Sequence, residues 1–242
     1  MYFKSDIRLT LNIIQVFNDA IIQNFKEGTM KVLGVVAQKG GGGKTTLTVH
    51  LATYAELQGL SVLVVDTDAQ KSASKWAHRR ESETPAVFYS EVSGVPDVLK
   101  KAKGKGFDLV LVDTAPSHSV DTAKVAKLAD FSIIPSRPAV FDIDAISNTT
   151  RLLAQIDANA AIVLNACPVG RGGENSLTTE VRKALADSEY PVCPVSVTQR
   201  AAFTHALIDG RAVNEFEPTG KAAKEIQNLW NWINEQLGAK HG

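Results

Sequence analysis

The chain has 242 residues, with 26 Lys and Arg balanced by 26 Asp and Glu and 44% hydrophobic residues. Zero formal net charge excludes a polybasic arm as the main theme, and the length allows one generous α/β domain with a sizeable core. No uninterrupted run of about 18 apolar residues is present to span a membrane, and Cys167 and Cys193, each followed by proline, match neither a zinc spacing nor a disulfide framework, which points to a reducing cytoplasm.

Residues 1–29 place Leu11, Ile14, Phe17, Ile21 and Phe25 at roughly helical spacing and stop at Gly28. Asp19 and Gln23 interrupt the apolar stretch, so no secretory signal is expected. The segment reads as an extension outside the core domain, with a docking helix as the alternative. From Met30 onward, β-rich runs are predicted at 32–37, 62–66, 86–89, 109–113, 131–135, 160–165 and 192–197. Helical segments are predicted between most of them, at 44–58, 72–82, 95–103, 119–128, 142–156, 176–187 and 200–208, with a terminal helix at 221–237. The near-continuous apolar runs VLVVD and LVLVD suit central, doubly covered strands. Such alternation predicts a single α/β domain over residues 30–242, three layers deep, with a mostly parallel sheet between helices.

The richest local signal is VVAQKGGGGKTTLTVHLA at 35–52, a strand followed by four glycines and a helix that starts at Lys44-Thr45-Thr46. Gly40, Gly41, Gly42 and Gly43 let the backbone turn its N–H groups inward and leave room for phosphate oxygens. The helix start adds its dipole and unpaired donors. Lys44 can reach the β- and γ-phosphates, and the Thr45 hydroxyl can ligate magnesium. Where the ordinary P-loop has its first glycine this chain has Gln38, and an extra lysine, Lys39, opens the loop.

That K-G-G-x-G-K-T arrangement is the deviant Walker A motif, and with it the chain resembles the ParA/MinD family of ATPases. The resemblance implies a P-loop NTPase fold and an ATPase using Mg2+ and ATP. It also implies that Lys39 reaches across a homodimer to the partner's phosphates, as an arginine finger would; a solvated loop lysine is the plainer alternative. VLVVDTDAQ ends on Asp66 and Asp68, which strand alternation points to the same side. The family's D-x-D segment implies a magnesium-side role for Asp66 and orientation of the attacking water for Asp68, while Asp66 as a cap for the next helix stays open. Asp113 ends FDLVLVD as the Walker B carboxylate, behind a magnesium-bound water. Asn165 closes IVLN, where the family places an adenine-binding asparagine; a turn before Pro168 is the alternative. PSRPAVFDIDA at 135–145 resembles the segment that borders nucleotide and dimer contact, and Asp142 is expected to do no more than cap a helix or touch the partner.

The resemblance runs from Met30 to about Leu237 and is nearest to small, ParF-like plasmid-partition proteins. It implies ATP-dependent dimerisation, non-specific DNA binding with Arg200 as the candidate contact, and release when a ParB-like centromere-binding partner stimulates hydrolysis. The chain would then be cytoplasmic and, with ATP, nucleoid-associated. A positioning ATPase for a protein cargo, answering to a cargo adaptor, shares every motif. A MinD-like membrane role is disfavoured, because the side of the terminal helix opposite Ile226, Leu229, Trp230, Ile233 and Leu237 carries Glu225, Gln227, Asn228, Asn231, Asn234 and Glu235, none of them a cation for anionic lipid.

Overall fold

A computed structural model describes residues 29–116 and 119–238; apart from Thr29, the expected N-terminal extension lies outside the described residues. Among the described residues six strands form one parallel sheet: β1 (Lys31–Val35), β2 (Val62–Asp66), β3 (Ala86–Tyr89), β4 (Leu109–Asp113), β5 (Phe131–Ser136) and β6 (Ala160–Leu164), in the order β3-β2-β4-β1-β5-β6. The crossovers are α1 (Lys44–Leu57), α2 (Ser72–Ala77), α3 (Val95–Gly104), α4 (Ser119–Leu128) and α5 (Val140–Ala154). Beyond β6 come α6 (Ser176–Ala184), α7 (Ala201–Ile208), α8 (Val213–Phe216) and α9 (Lys221–Gly238).

Strand periodicity divides the interior into two cores. Leu33 and Val35 of β1 face one, with Leu47 and Leu51 of α1 and Trp230 and Ile233 of α9. Val32 and Val36 face the other, with Val125 of α4 and Ile146 and Leu153 of α5. Because helices cover both faces, every residue of β2 and β4 is buried, which is why their sequences read as unbroken apolar runs. The apolar face of α9 (Ile226, Leu229, Trp230, Ile233, Leu237) is spent on the first core, each large side chain contributing roughly 1.5–3 kcal/mol of burial. Those five side chains are buried, and among the described residues no helix is long and apolar enough to cross a membrane.

One expected strand is not formed. Residues 192–197 run beside β6 and donate Cys193 N to Ile162 O at 2.7 Å and Val197 N to Leu164 O at 2.9 Å, but make only isolated bridges. Val195 N, the donor between them, turns instead to Cys193 Sγ at 3.4 Å, which interrupts the ladder. The second helix stops at Ala77 rather than Ser82, and Arg80 just beyond it is drawn away to Glu215 (Nη2–Oε1 2.8 Å) and to Gly210 O (2.7 Å).

His50, on α1, is fully buried; its Nδ1 accepts from Val213 N at 3.1 Å, and burial pushes its pKa down to about 3. The unfolded chain takes up a proton there below about pH 6.5, whereas the folded one does not until about pH 3. Stability should therefore fall as pH drops through that window, by up to ~1.4 kcal/mol per pH unit from this group alone. In His50→Leu the urea midpoint should start lower at pH 7, because Val213 N–H loses its acceptor, but should change less between pH 6.5 and 5. Parallel pH profiles for the two proteins would refute the assignment.

Candidate active site

The loop from Lys39 to Gly43 leaves the C-terminal end of β1, whose neighbours are β4 and β5, so it lies at the edge where open parallel sheets bind ligands. Gly41, Gly42 and Gly43 each need to be glycine, the first for its positive φ. Gly43 has φ +87°, and a Cβ there would stand 2.1 Å from Asn165 Nδ2. At Gly42 a Cβ would meet Pro135 O at 2.6 Å. The loop is thus pressed onto the ends of β5 and β6, and Asn165 Nδ2 donates to Gly42 O at 2.8 Å. Gly40 lies against Pro116, and Gly41, at φ +81°, forms the crest. Asn165, expected to face adenine, here braces the loop with its carboxamide.

Lys44 and Thr45 open α1, with Thr46, half-buried, following on the same turn. The Lys44 ammonium is largely buried and curls back to donate to Lys39 O at 3.2 Å, across the mouth of the loop. Burial lowers its pKa, and the charges of Asp113 and Asp68 work against that shift. Thr45 Oγ1 donates to Asp113 Oδ2 at 2.7 Å, and Thr48 Oγ1 donates to Oδ1 at 3.2 Å. Asp113 has no exposure, and burial pushes its pKa up to about 7; neighbouring Asp66 adds to the rise while the two hydroxyls and Lys44 oppose it.

Asp66 pairs in register with Asp113 across β2 and β4. Its Oδ1 accepts from Asp68 N at 3.1 Å, and its Oδ2 accepts from Ser74 N and Ser74 Oγ, both at 2.9 Å. Its carboxylate therefore anchors the turn and α2, as the capping alternative anticipates. Asp68 stands half-buried at the loop's edge, its Oδ1 accepting from Gln70 N at 2.8 Å. Lys39 is exposed and forms an ion pair with Asp142 of α5 in the same protomer. Arg200 lies away from this cluster, paired to Glu225 of α9 (Nη2–Oε1 2.6 Å) with Thr198 on the same carboxylate.

Thr48 and Ser74 are the contributors that sequence reasoning missed, and Asp142, expected to do no more than cap a helix or touch the partner, pairs with Lys39. Thr48 had a usable signal, since it follows Lys44 by one helical turn and so shares its face. Ser74 had none, since its bond to Asp66 spans the turn between strand and helix, and the specific pairing of Asp142 with Lys39 spans 103 residues.

The donors suit a hard divalent cation. Thr45 Oγ1 and the Asp113 carboxylate supply oxygen only, as magnesium prefers, and a cation would draw Asp113 fully into its charged form. Among the described residues no group of three or more His, Cys, Asp or Glu side chains could hold a metal, so the remaining ligands would come from phosphate and water.

The family model described as the CobQ/CobB/MinD/ParA nucleotide binding domain matches residues 33–213. "Maintenance of carboxysome distribution protein A" of Gloeobacter kilaueensis is 29% identical over 210 residues, which cover 86% of this chain and 94% of that protein. "Protein ParA" of Rhizobium radiobacter is 26% identical over 209 residues, covering 82% and 92%. The fold matches the septum site-determining protein MinD of Pyrococcus horikoshii, solved with Mg-ADP, at a TM-score of 0.67 and 16% identity over 88% of this chain and all of that one. With a glycine loop, a buried lysine and a threonine–aspartate pair at the end of a parallel sheet, the chain belongs to the CobQ/CobB/MinD/ParA nucleotide-binding family.

Proposed function

We propose that this ATPase positions a protein cargo. It closes on ATP as a face-to-face homodimer, holds non-specific DNA as its track, and lets go when a cargo adaptor stimulates hydrolysis. The carrying observation is the likeness to the Gloeobacter carboxysome distribution protein across almost the whole length of both chains. DNA partition with a ParB-like partner is the second reading, favoured by the likeness to ParA of Rhizobium radiobacter. Deleting the gene in its host separates them. Dispersed or clumped protein assemblies with unchanged plasmid retention support positioning, and plasmid loss with cargo in place supports partition.

In this reading the N–H groups of Gly40–Gly43, with Lys44 and Thr46, hold the phosphate chain. Magnesium, when bound, would neutralise charge on the β- and γ-phosphates, with Thr45, Asp113 and Asp66 on its protein side. Asp68 orients the attacking water. Asn165 would exchange its Gly42 bond for the adenine edge. Arg200 is the proposed DNA contact, and since a DNA phosphate must compete there with Glu225, the contact should be salt-sensitive.

Lys39 is the residue that makes the dimer an active unit. Its ammonium pairs with Asp142 of its own protomer, a half-exposed ion pair worth no more than about 1 kcal/mol, which a partner's triphosphate can outcompete. Lys39→Ala should still bind ATP as a monomer but should fail to dimerise, as read by light scattering with a slowly hydrolysed analogue. Unchanged dimerisation would remove the cross-subunit role.

A further inference from the structure

We propose that Arg137 supplies a second cation to the triphosphate of its own protomer and so sets a preference for ATP over ADP. The inference rests on the reading above that the glycine loop cradles the phosphates. Arg137 follows directly on β5, and its guanidinium lies over the crest of that loop: a Cβ built on Gly41 would stand 3.7 Å from Nη2 and 3.8 Å from Cζ. The stem beneath it is held firmly. Asn165 N donates to Ser136 O at 2.7 Å, Pro135 O abuts Gly42, and Pro138 is buried.

Among the described residues no carboxylate pairs with Arg137. Arg80, Arg182, Arg200 and Arg211 are each paired to a carboxylate, and Lys39 to Asp142. The Arg137 guanidinium is exposed, with no hydrogen bond or ion pair among the described residues. A planar guanidinium offers two parallel donors matched to a phosphate. Lys44 reaches back across the same mouth to Lys39 O, so a phosphate chain seated there would run from one cation toward the other. ADP, one phosphate shorter, would engage Lys44 and gain less from Arg137.

Full-length Arg137→Gln and Arg137→Lys are titrated with mant-ATP and mant-ADP, at protein concentrations too low for dimers, and turnover is followed alongside. Arg137→Gln should weaken mant-ATP by about tenfold or more and mant-ADP by less than about twofold, with Arg137→Lys in between. Equal weakening of both nucleotides would mean that the loop is merely distorted and would overturn the proposal, as would no change in either. If Arg137→Gln binds both like the parent but no longer dimerises, the residue belongs to the subunit contact, and the proposal falls while the dimer reading stands. If the parent binds neither nucleotide, the cradle reading falls and takes the proposal with it.

Discussion

Asp68→Ala should slow ATP turnover by two to four orders of magnitude while changing ATP affinity by less than about twofold, the signature of a residue that acts on the attacking water. The carboxylate stands half-buried at the edge of the glycine loop, close enough for its charge to act on Lys44. It also has a structural duty, because its Oδ1 accepts from Gln70 N at 2.8 Å and its carbonyl accepts from Lys71 N at 2.8 Å. Alanine removes the first of those bonds, at a cost of about 1 kcal/mol. Asp68→Asn keeps an acceptor at that position without the negative charge, so it separates the two roles. If both variants bind ATP and neither hydrolyses it, charge at the water site is the cause. Turnover by Asp68→Asn at the parent rate would mean that only the turn matters.

Lys44→Ala should weaken ATP binding by about a hundredfold or more, since in the proposed cradle it removes a charged donor to the phosphates. Its second consequence has the opposite sign. In the nucleotide-free chain the ammonium is held in a largely buried position, where burial works against its charge. Truncation relieves that cost, so the variant without nucleotide should be as stable as the parent or slightly more so. A ligand at a hundred times its dissociation constant adds about 2.7 kcal/mol to folding stability. Thermal melts with and without Mg-ATP therefore read both effects together: the parent should gain several degrees from nucleotide, and Lys44→Ala none. A nucleotide-induced rise in the variant as large as the parent's would show that phosphate is not bound at Lys44.

The two variants also test separate parts of one site. Lys44 belongs to the backbone cradle, which exists before any ligand arrives, because Gly42 and Gly43 are locked against Pro135 O and Asn165. Asp68 belongs to the turn after β2, whose shape depends on Asp66 holding Ser74 and on Asp113 O accepting from Thr67 N at 2.9 Å. A nucleotide that redirected the Asp66 carboxylate would release α2 at the same moment, which couples occupancy of the site to that helix.

What the sequence by itself determined was the part of this protein written in contiguous residues. The order strand, glycines, Lys-Thr and helix needs no distant partner to be recognised, because phosphate binding there is done by consecutive backbone N–H groups. The buried runs VLVVD and LVLVD likewise announced central parallel strands, since only strands covered on both faces can be apolar at every position. Tertiary structure alone decided the pairings that close the site (Lys39 with Asp142, Thr45 and Thr48 with Asp113, Asn165 with Gly42, and Arg137 over Gly41) and, away from it, the pairing of Arg200 with Glu225. It also decided that residues 192–197 flank β6 without joining the sheet, because Val195 N bonds to Cys193 Sγ and not to the neighbouring strand. Each of these depends on which strand ends lie side by side, and that neighbourhood is set by how the sheet assembles and not by any local spacing.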